Sequence, residues 1–248
     1  MRPEQFLRTS RLLGEDAVQA LHQKCVTFVG LGAVGGFALE ALVRSGVGKV
    51  RLVDFDSVEA SNINRQIFAT YETIGMKKVE AARQRIQAIN PDCQVETLDI
   101  FVTNENLNQV LVEENNLVID AIDSLGPKCE LLYSAYTLGK PIISSMGAAL
   151  RRNPALITTG DLMDSSGCPL ARQVRTNLRK RGVGKGIQVV YSPEPVIFSY
   201  DEEERQEPKG KGRERNVLGS LSTITGIFGL NLAHLGLQEL LGSKSLIF

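Results

Sequence analysis

Short apolar runs alternate with longer segments of mixed polarity through the first part of the chain. Val26–Val29 is an apolar run that stops at a glycine cluster, and Ala33–Arg44 follows with Phe37, Leu39 and Leu42 at helical spacing. Val50–Val53 is a second apolar run, halted by Asp54. A run, a loop, a helix and a second run describe a β-loop-α-β unit, the building block of a parallel sheet. The pattern continues with a helix over Lys77–Ile89, ended by Asn90-Pro91, and a strand over Val95–Leu98. A buried strand over Leu117–Ile122 ending at Asp123, a helix over Pro127–Leu138 and a strand over Pro141–Ser145 complete it. The alternation predicts a doubly wound, mostly parallel α/β sheet of Rossmann-like type.

Beyond residue 150 the pattern loosens. Strands are expected over Ala155–Thr159 and Ile187–Tyr191, with a basic helix, Leu170–Arg181, between them. Glu202–Arg215 is a charge run with proline and glycine and reads as a surface loop. No linker separates the two parts. We therefore expect a core over 1–150 and a C-terminal extension of the same domain over 151–248.

From Asn216 to Gln238 there is no Asp, Glu, Lys or Arg. That run meets the length criterion for a membrane span. It also holds Ser220, Ser222, Thr223, Thr225, Asn231, His234 and several glycines. A buried or oligomer-facing helix is the expectation, with membrane association through 216–241 as the alternative.

Composition narrows the picture. The 248 residues are 43% hydrophobic, enough for one large core. Lys+Arg and Asp+Glu are both 28, so only a local patch, not the global charge, points to a polyanion. The four cysteines, Cys25, Cys93, Cys129 and Cys168, form no C-x-x-C pair, which argues against a structural zinc site and suits a reducing, cytoplasmic setting. No apolar leader marks the N-terminus, so no signal peptide is expected.

The chemistry sits where strands end. Gly30, Gly32 and Gly35 spell G-x-G-x-x-G between a strand and a helix. The helix start favours an anion, Gly32 lets backbone approach a phosphate, and Gly35 permits close helix–strand packing. Asp54, at the end of the next strand, suits ribose hydroxyls. Those features alone favour NAD. The stretch "DFDSVEASNINRQ" then adds Asn62 and Arg65, and Lys78 opens the next helix. Two cations suit the greater charge of a triphosphate and the pyrophosphate that departs from it. Asp123 is placed to take Mg²⁺ bridging the phosphates. These residues favour ATP.

G-x-G-x-x-G, D-F-D, S-N-x-N-R-Q and the Lys-Val pair together resemble the ThiF/MoeB/HesA superfamily of ubiquitin-activating-enzyme-like adenylyltransferases, over about residues 8 to 150. The resemblance implies attack of a carboxylate on the α-phosphate of ATP. By position it implies that Gly30, Gly32 and Gly35 line the nucleotide and that Asp54 takes the ribose. Asn62, Arg65 and Lys78 (or its neighbour Lys77) would contact phosphates, and Asp123 would hold Mg²⁺. It further implies a homodimer in which an N-terminal arginine, Arg11 rather than Arg8, enters the partner's ATP site.

"AIDSLGPKCELL", "GAALRRNPALITTGD" and "CPLARQVRTNLRKRG" resemble, more narrowly, the bacterial tRNA threonylcarbamoyladenosine dehydratase family. That implies adenylation of the carboxylate on the modified adenosine at position 37 of tRNA, then closure of an oxazolone ring by the substrate's own carbamoyl oxygen. No enzyme cysteine is needed, and proximity supplies much of the rate. This family usually has Asp before Pro-Leu-Ala, where this chain has Cys168. Arg172, Arg175, Arg179, Lys180, Arg181 and Lys185 are the candidates for the tRNA backbone, with Arg151 and Arg152 extending the patch. Relatives suggest a monovalent cation, Na⁺ or K⁺, and a sulfur-transfer partner, for which no residue here gives a place. The competing readings are an adenylyltransferase for a ubiquitin-like sulfur carrier, and an NAD-dependent oxidoreductase or regulatory nucleotide-binding module.

Overall fold

The computed structural model describes residues 3–196 and 218–242. The charge run Glu202–Arg215 lies outside the described residues. Two short helices, α1 (Leu7–Leu13) and α2 (Glu15–Gln23), lead into β1 (Cys25–Val29). Then follow α3 (Gly35–Ser45), β2 (Lys49–Val53), α4 (Lys78–Ile89), β3 (Gln94–Leu98), α5 (Leu107–Val110), β4 (Leu117–Asp120), α6 (Leu125–Thr137) and β5 (Ile142–Ser145). The C-terminal part adds β6 (Thr158–Asp161), α7 (Pro169–Lys180), β7 (Gln188–Tyr191) and α8 (Ser222–Leu241).

The strands form one seven-stranded sheet in the order β3-β2-β1-β4-β5-β7-β6. All neighbours are parallel except β6, which runs antiparallel to β7. The order reverses between β1 and β4, the point where ligands bind in doubly wound sheets. Register brings the strand ends level: Val29 lies opposite both Val53 and Asp120, and Asp120 opposite Ser144. Gly30, Asp54 and Ala121 therefore leave the sheet at one edge. Apolar clusters fill both faces. One gathers α3, α4 and α8, the other α5, α6 and α7.

Two expected strands are corrected. The fourth ends at Asp120, three residues before Asp123. The Asp120 carboxylate accepts the Ile122 N–H at 3.0 Å, which turns the chain out of the ladder. The strand expected over Ala155–Thr159 is a 3-10 turn, Pro154–Leu156, followed by Thr158–Asp161. Asn153 caps that turn by accepting the Ala155 N–H, and Pro154 suits a first turn rather than a ladder.

The uncharged C-terminal segment is α8, a core helix. Its small residues let it lie against α3: a Cβ on Gly229 would meet the Val34 carbonyl oxygen at 2.5 Å, and one on Gly236 would meet Leu42 at 3.3 Å. Ile224, Phe228, Leu232 and Leu240 are buried. Among the described residues, no helix is long and apolar enough to cross a membrane.

Candidate nucleotide site

The glycine loop is built from close approaches. Gly30 has φ +93°, and a Cβ there would stand 2.8 Å from the Ala121 carbonyl oxygen. A Cβ on Gly35 would overlap the Gly30 carbonyl oxygen and meet Ala121 Cβ at 3.1 Å. These two glycines fasten β1, α3 and the β4–α6 loop together. Gly32 differs: a Cβ there would have only Gln66 Nε2 within reach, at 3.9 Å. Nothing else stands within 4 Å of that position. No side chain caps the N-terminus of α3, whose first-turn N–H groups suit a phosphate. Loop and helix start therefore fit the polyphosphate of a nucleotide.

Asp54 is buried beside this loop. Its Oδ2 accepts the Leu31 N–H at 2.7 Å and its Oδ1 the Asp56 N–H at 2.9 Å. Burial pushes its carboxyl above the ordinary range, although Lys78 and the two N–H groups pull the other way. Each oxygen keeps a lone pair for a ribose hydroxyl. Lys78, the first residue of α4, is buried and paired with Asp56 at 2.7 Å. Its neighbour Lys77 instead bonds the Phe55 carbonyl and Asp99. Lys78 is thus the lysine beside Asp54.

Asn62 and Arg65 lie on the crossover between β2 and α4. Buried Asn62 accepts the Glu59 N–H in a reciprocal cap, which shapes the loop. Arg65 is half-buried and donates to the Ser61 carbonyl and the Asn64 side chain. The next residue, Gln66, presents its amide to Gly32. Gln66 is not among the residues that motif and spacing single out, although it directly follows Arg65. Asp123 is exposed on the β4–α6 loop, where Ser124 Oγ donates to it. Among the described residues, no three His, Cys, Asp or Glu side chains gather as a metal cage. A single carboxylate that shares Mg²⁺ with substrate phosphates needs no cage.

Arg11 is exposed on α1, a helix with no buried residue. Among the described residues no hydrogen bond or ion pair joins it to the glycine loop or to Asp54, Lys78 or Asp123.

The basic residues fall into two groups. Arg181 forks onto Glu130 at 2.7 and 3.0 Å and lies 3.6 Å over the Tyr133 ring. Lys185 pairs with Asp164, Arg175 donates to Ser165 Oγ, and Arg179 reaches the Met163 carbonyl. These four bind their own fold. Arg172 and Lys180 are exposed and line a groove with Gln173, Thr176, Asn177 and Leu125. Leu125 opens α6, so the groove runs toward the loop of Asp123. Arg151 is buried, and Glu194 binds the backbone of Arg152. Cys168 is buried, and its sulfur accepts the Ala171 N–H at 3.5 Å as the N-cap of α7. An aspartate serves a helix start in the same way.

The fold and this loop define an α/β nucleotide-binding protein with its site at the switch point of a doubly wound sheet. The ThiF family model matches residues 6–246, and the chain belongs to that family. It is 40% identical to a tRNA threonylcarbamoyladenosine dehydratase of Bacillus subtilis, over 79% of this chain and 78% of the relative. The crystal structure of E. coli tRNA N6-threonylcarbamoyladenosine dehydratase in complex with ATP covers 98% of this chain and 96% of its own, with TM-score 0.87 and 32% identity. A sulfur carrier protein adenylyltransferase of Thermus thermophilus is 37% identical over 53% of this chain and 48% of its own.

Proposed function

We propose that this chain is an ATP-dependent dehydratase acting on threonylcarbamoyladenosine in tRNA. One observation carries the choice between the two adenylyltransferase readings. The likeness to dehydratases spans nearly the whole chain, including the region of α7 and α8, whereas the likeness to the sulfur-carrier enzyme covers about half.

The chemistry follows from the placement of the groups. Gly32 and the start of α3 hold the polyphosphate by backbone N–H groups, and Asp54 takes the ribose. Lys78, Arg65 and Gln66 close on the phosphates from the β2–α4 side; for Lys78 this means exchanging Asp56 for a more highly charged partner. Asp123 would hold Mg²⁺, and the ion would supply positive charge to offset that of the phosphates. The substrate carboxylate attacks the α-phosphate and becomes an acyl-adenylate. The neighbouring carbamoyl oxygen then attacks that acyl carbon, AMP departs, and a ring closes with net loss of water. The nucleophile belongs to the substrate, so Cys168 is free to serve as a helix cap.

Arg172 and Lys180 bind tRNA phosphates on the way to Asp123. The enzyme works as a homodimer in which Arg11 reaches the partner's phosphates. Support for the dimer is α1, where Leu7 and Leu12 are 51% and 68% exposed on a helix with no buried residue.

Pyrophosphate release from ATP tests the reading. Modified tRNA is expected to stimulate it, and Asp123→Ala to abolish it with the melting temperature held. Stimulation by a carrier ending in Gly-Gly, and none by tRNA, would favour the sulfur-carrier reading instead.

A further inference from the structure

Lys128 and its partner Asp120 are the most deeply buried charges among the described residues, and the proposed chemistry leaves both unused. Lys128 lies in the second turn of α6 and is 0% exposed. Its ammonium spends all three protons: on Asp120 Oδ2 at 2.5 Å, on Ser144 Oγ at 3.1 Å and on the Ser145 carbonyl at 3.0 Å. Ser144 Oγ in turn donates to Asp120 Oδ2 at 2.6 Å. The other oxygen of Asp120 accepts the Ile122 N–H. The cluster is saturated, and it ties α6 to the last residues of β4 and β5.

Stability alone does not explain it. A buried ion pair is often replaceable by apolar side chains of similar size at no loss of stability. What this pair does, and an apolar pair cannot, is fix direction. Between Asp120 and Lys128 runs the loop Ala121–Ser124, which carries Asp123. On its near side Ala121 is pressed against Gly30 and Gly35. On its far side its only covalent continuation is α6, and Lys128 sets where α6 starts.

We infer that Lys128, through Asp120 and Ser144, is a positioning residue that holds the Asp123 loop in place beside the glycine loop, where Asp123 would take Mg²⁺ on the bound triphosphate. The inference rests on the adenylation reading above. Lys128 touches no substrate; it acts through the loop. A small displacement of a catalytic group is enough to lower rate severely, because the reacting geometry must be met closely.

The test removes both charges at once. Asp120→Asn with Lys128→Met leaves neither ion bare and keeps the volumes. This pair variant is expected to fold with a melting temperature near that of the wild type. Its Mg²⁺-free ATP affinity should stay within about threefold, as read by calorimetry. The tightening that Mg²⁺ gives ATP binding in the wild type should shrink, and pyrophosphate release should fall by about tenfold or more. Ser144→Ala removes one bond from each partner and should move the same two readouts less far. If the pair variant fails to fold, Ser144→Ala alone decides. Wild-type Mg²⁺ response and wild-type release in the folded variants would overturn the inference and leave the adenylation reading standing. A wild-type protein that binds no ATP would remove the reading itself.

Discussion

Gly32 and Gly35 carry the same one-letter code three positions apart, yet they answer to different demands. Gly35→Ala drives a methyl into the Gly30 carbonyl, and neither backbone can retreat. We expect a loss of about 2 kcal/mol or more in unfolding free energy. Gly32→Ala adds a methyl that meets only the Gln66 amide at 3.9 Å. Its stability should stay within about 0.5 kcal/mol of the wild type, while ATP affinity falls tenfold or more because the methyl occupies the phosphate position. Denaturant melts and ATP titration of the two variants read this directly. Equal loss of stability in both would mean that Gly32 is a packing glycine and that the phosphate lies elsewhere. At this scale the placing of Gly30, Gly32, Gly35 and Asp54 together at one edge of the sheet was legible from type and spacing. The approach of Gln66 to Gly32 and the Lys128–Asp120 pair were not, because they depend on how the chain folds: Asp120 meets Ser144 only through the β4–β5 register.

Helix α7 shows what a basic stripe conceals. Arg172, Arg175 and Arg179 recur at helical spacing, and the sequence offers no way to rank them or Lys180, Arg181 and Lys185. The structure separates them by partner. Arg181 is spent on Glu130 and Tyr133, so Arg181→Ala should lower stability by about 1–2 kcal/mol and leave the salt dependence of tRNA binding unchanged. Arg172→Ala with Lys180→Ala should leave stability unchanged and reduce the slope of log affinity against log salt by about two, one for each phosphate that then goes unneutralised. Filter binding across a salt series distinguishes the two; an unchanged slope in the double variant would move the tRNA to another face. Helix α8 was legible in kind, since its serines, threonines and glycines argued for a buried helix. Its partner was not, because that depends on α3 presenting Val34 and Phe37 to glycines almost two hundred residues later in the chain. The early helices α1 and α2 went unread, their apolar positions being too few to set a period.

At the scale of the whole molecule the glycine loop, Asp54, Lys78 and the Asp123 loop lie together in one chain, while Arg11 stands outside on α1. If Arg11 acts across a dimer, mixing Arg11→Ala protein with Asp123→Ala protein should restore part of the pyrophosphate release that each lacks alone, because one site of each mixed dimer then has both residues. Mixed dimers shown to form without recovering activity would reject the trans arrangement. The central claim, that this chain spends ATP to close a ring on a modified tRNA, is tested most directly on the tRNA itself. tRNA carrying threonylcarbamoyladenosine is incubated with the protein, ATP and Mg²⁺, then digested to nucleosides under mild conditions and weighed by mass spectrometry. The account predicts a modified adenosine lighter by one water, formed only when ATP is present and absent with the Asp123→Ala protein. An unchanged nucleoside mass, with the protein folded and ATP bound, would contradict it.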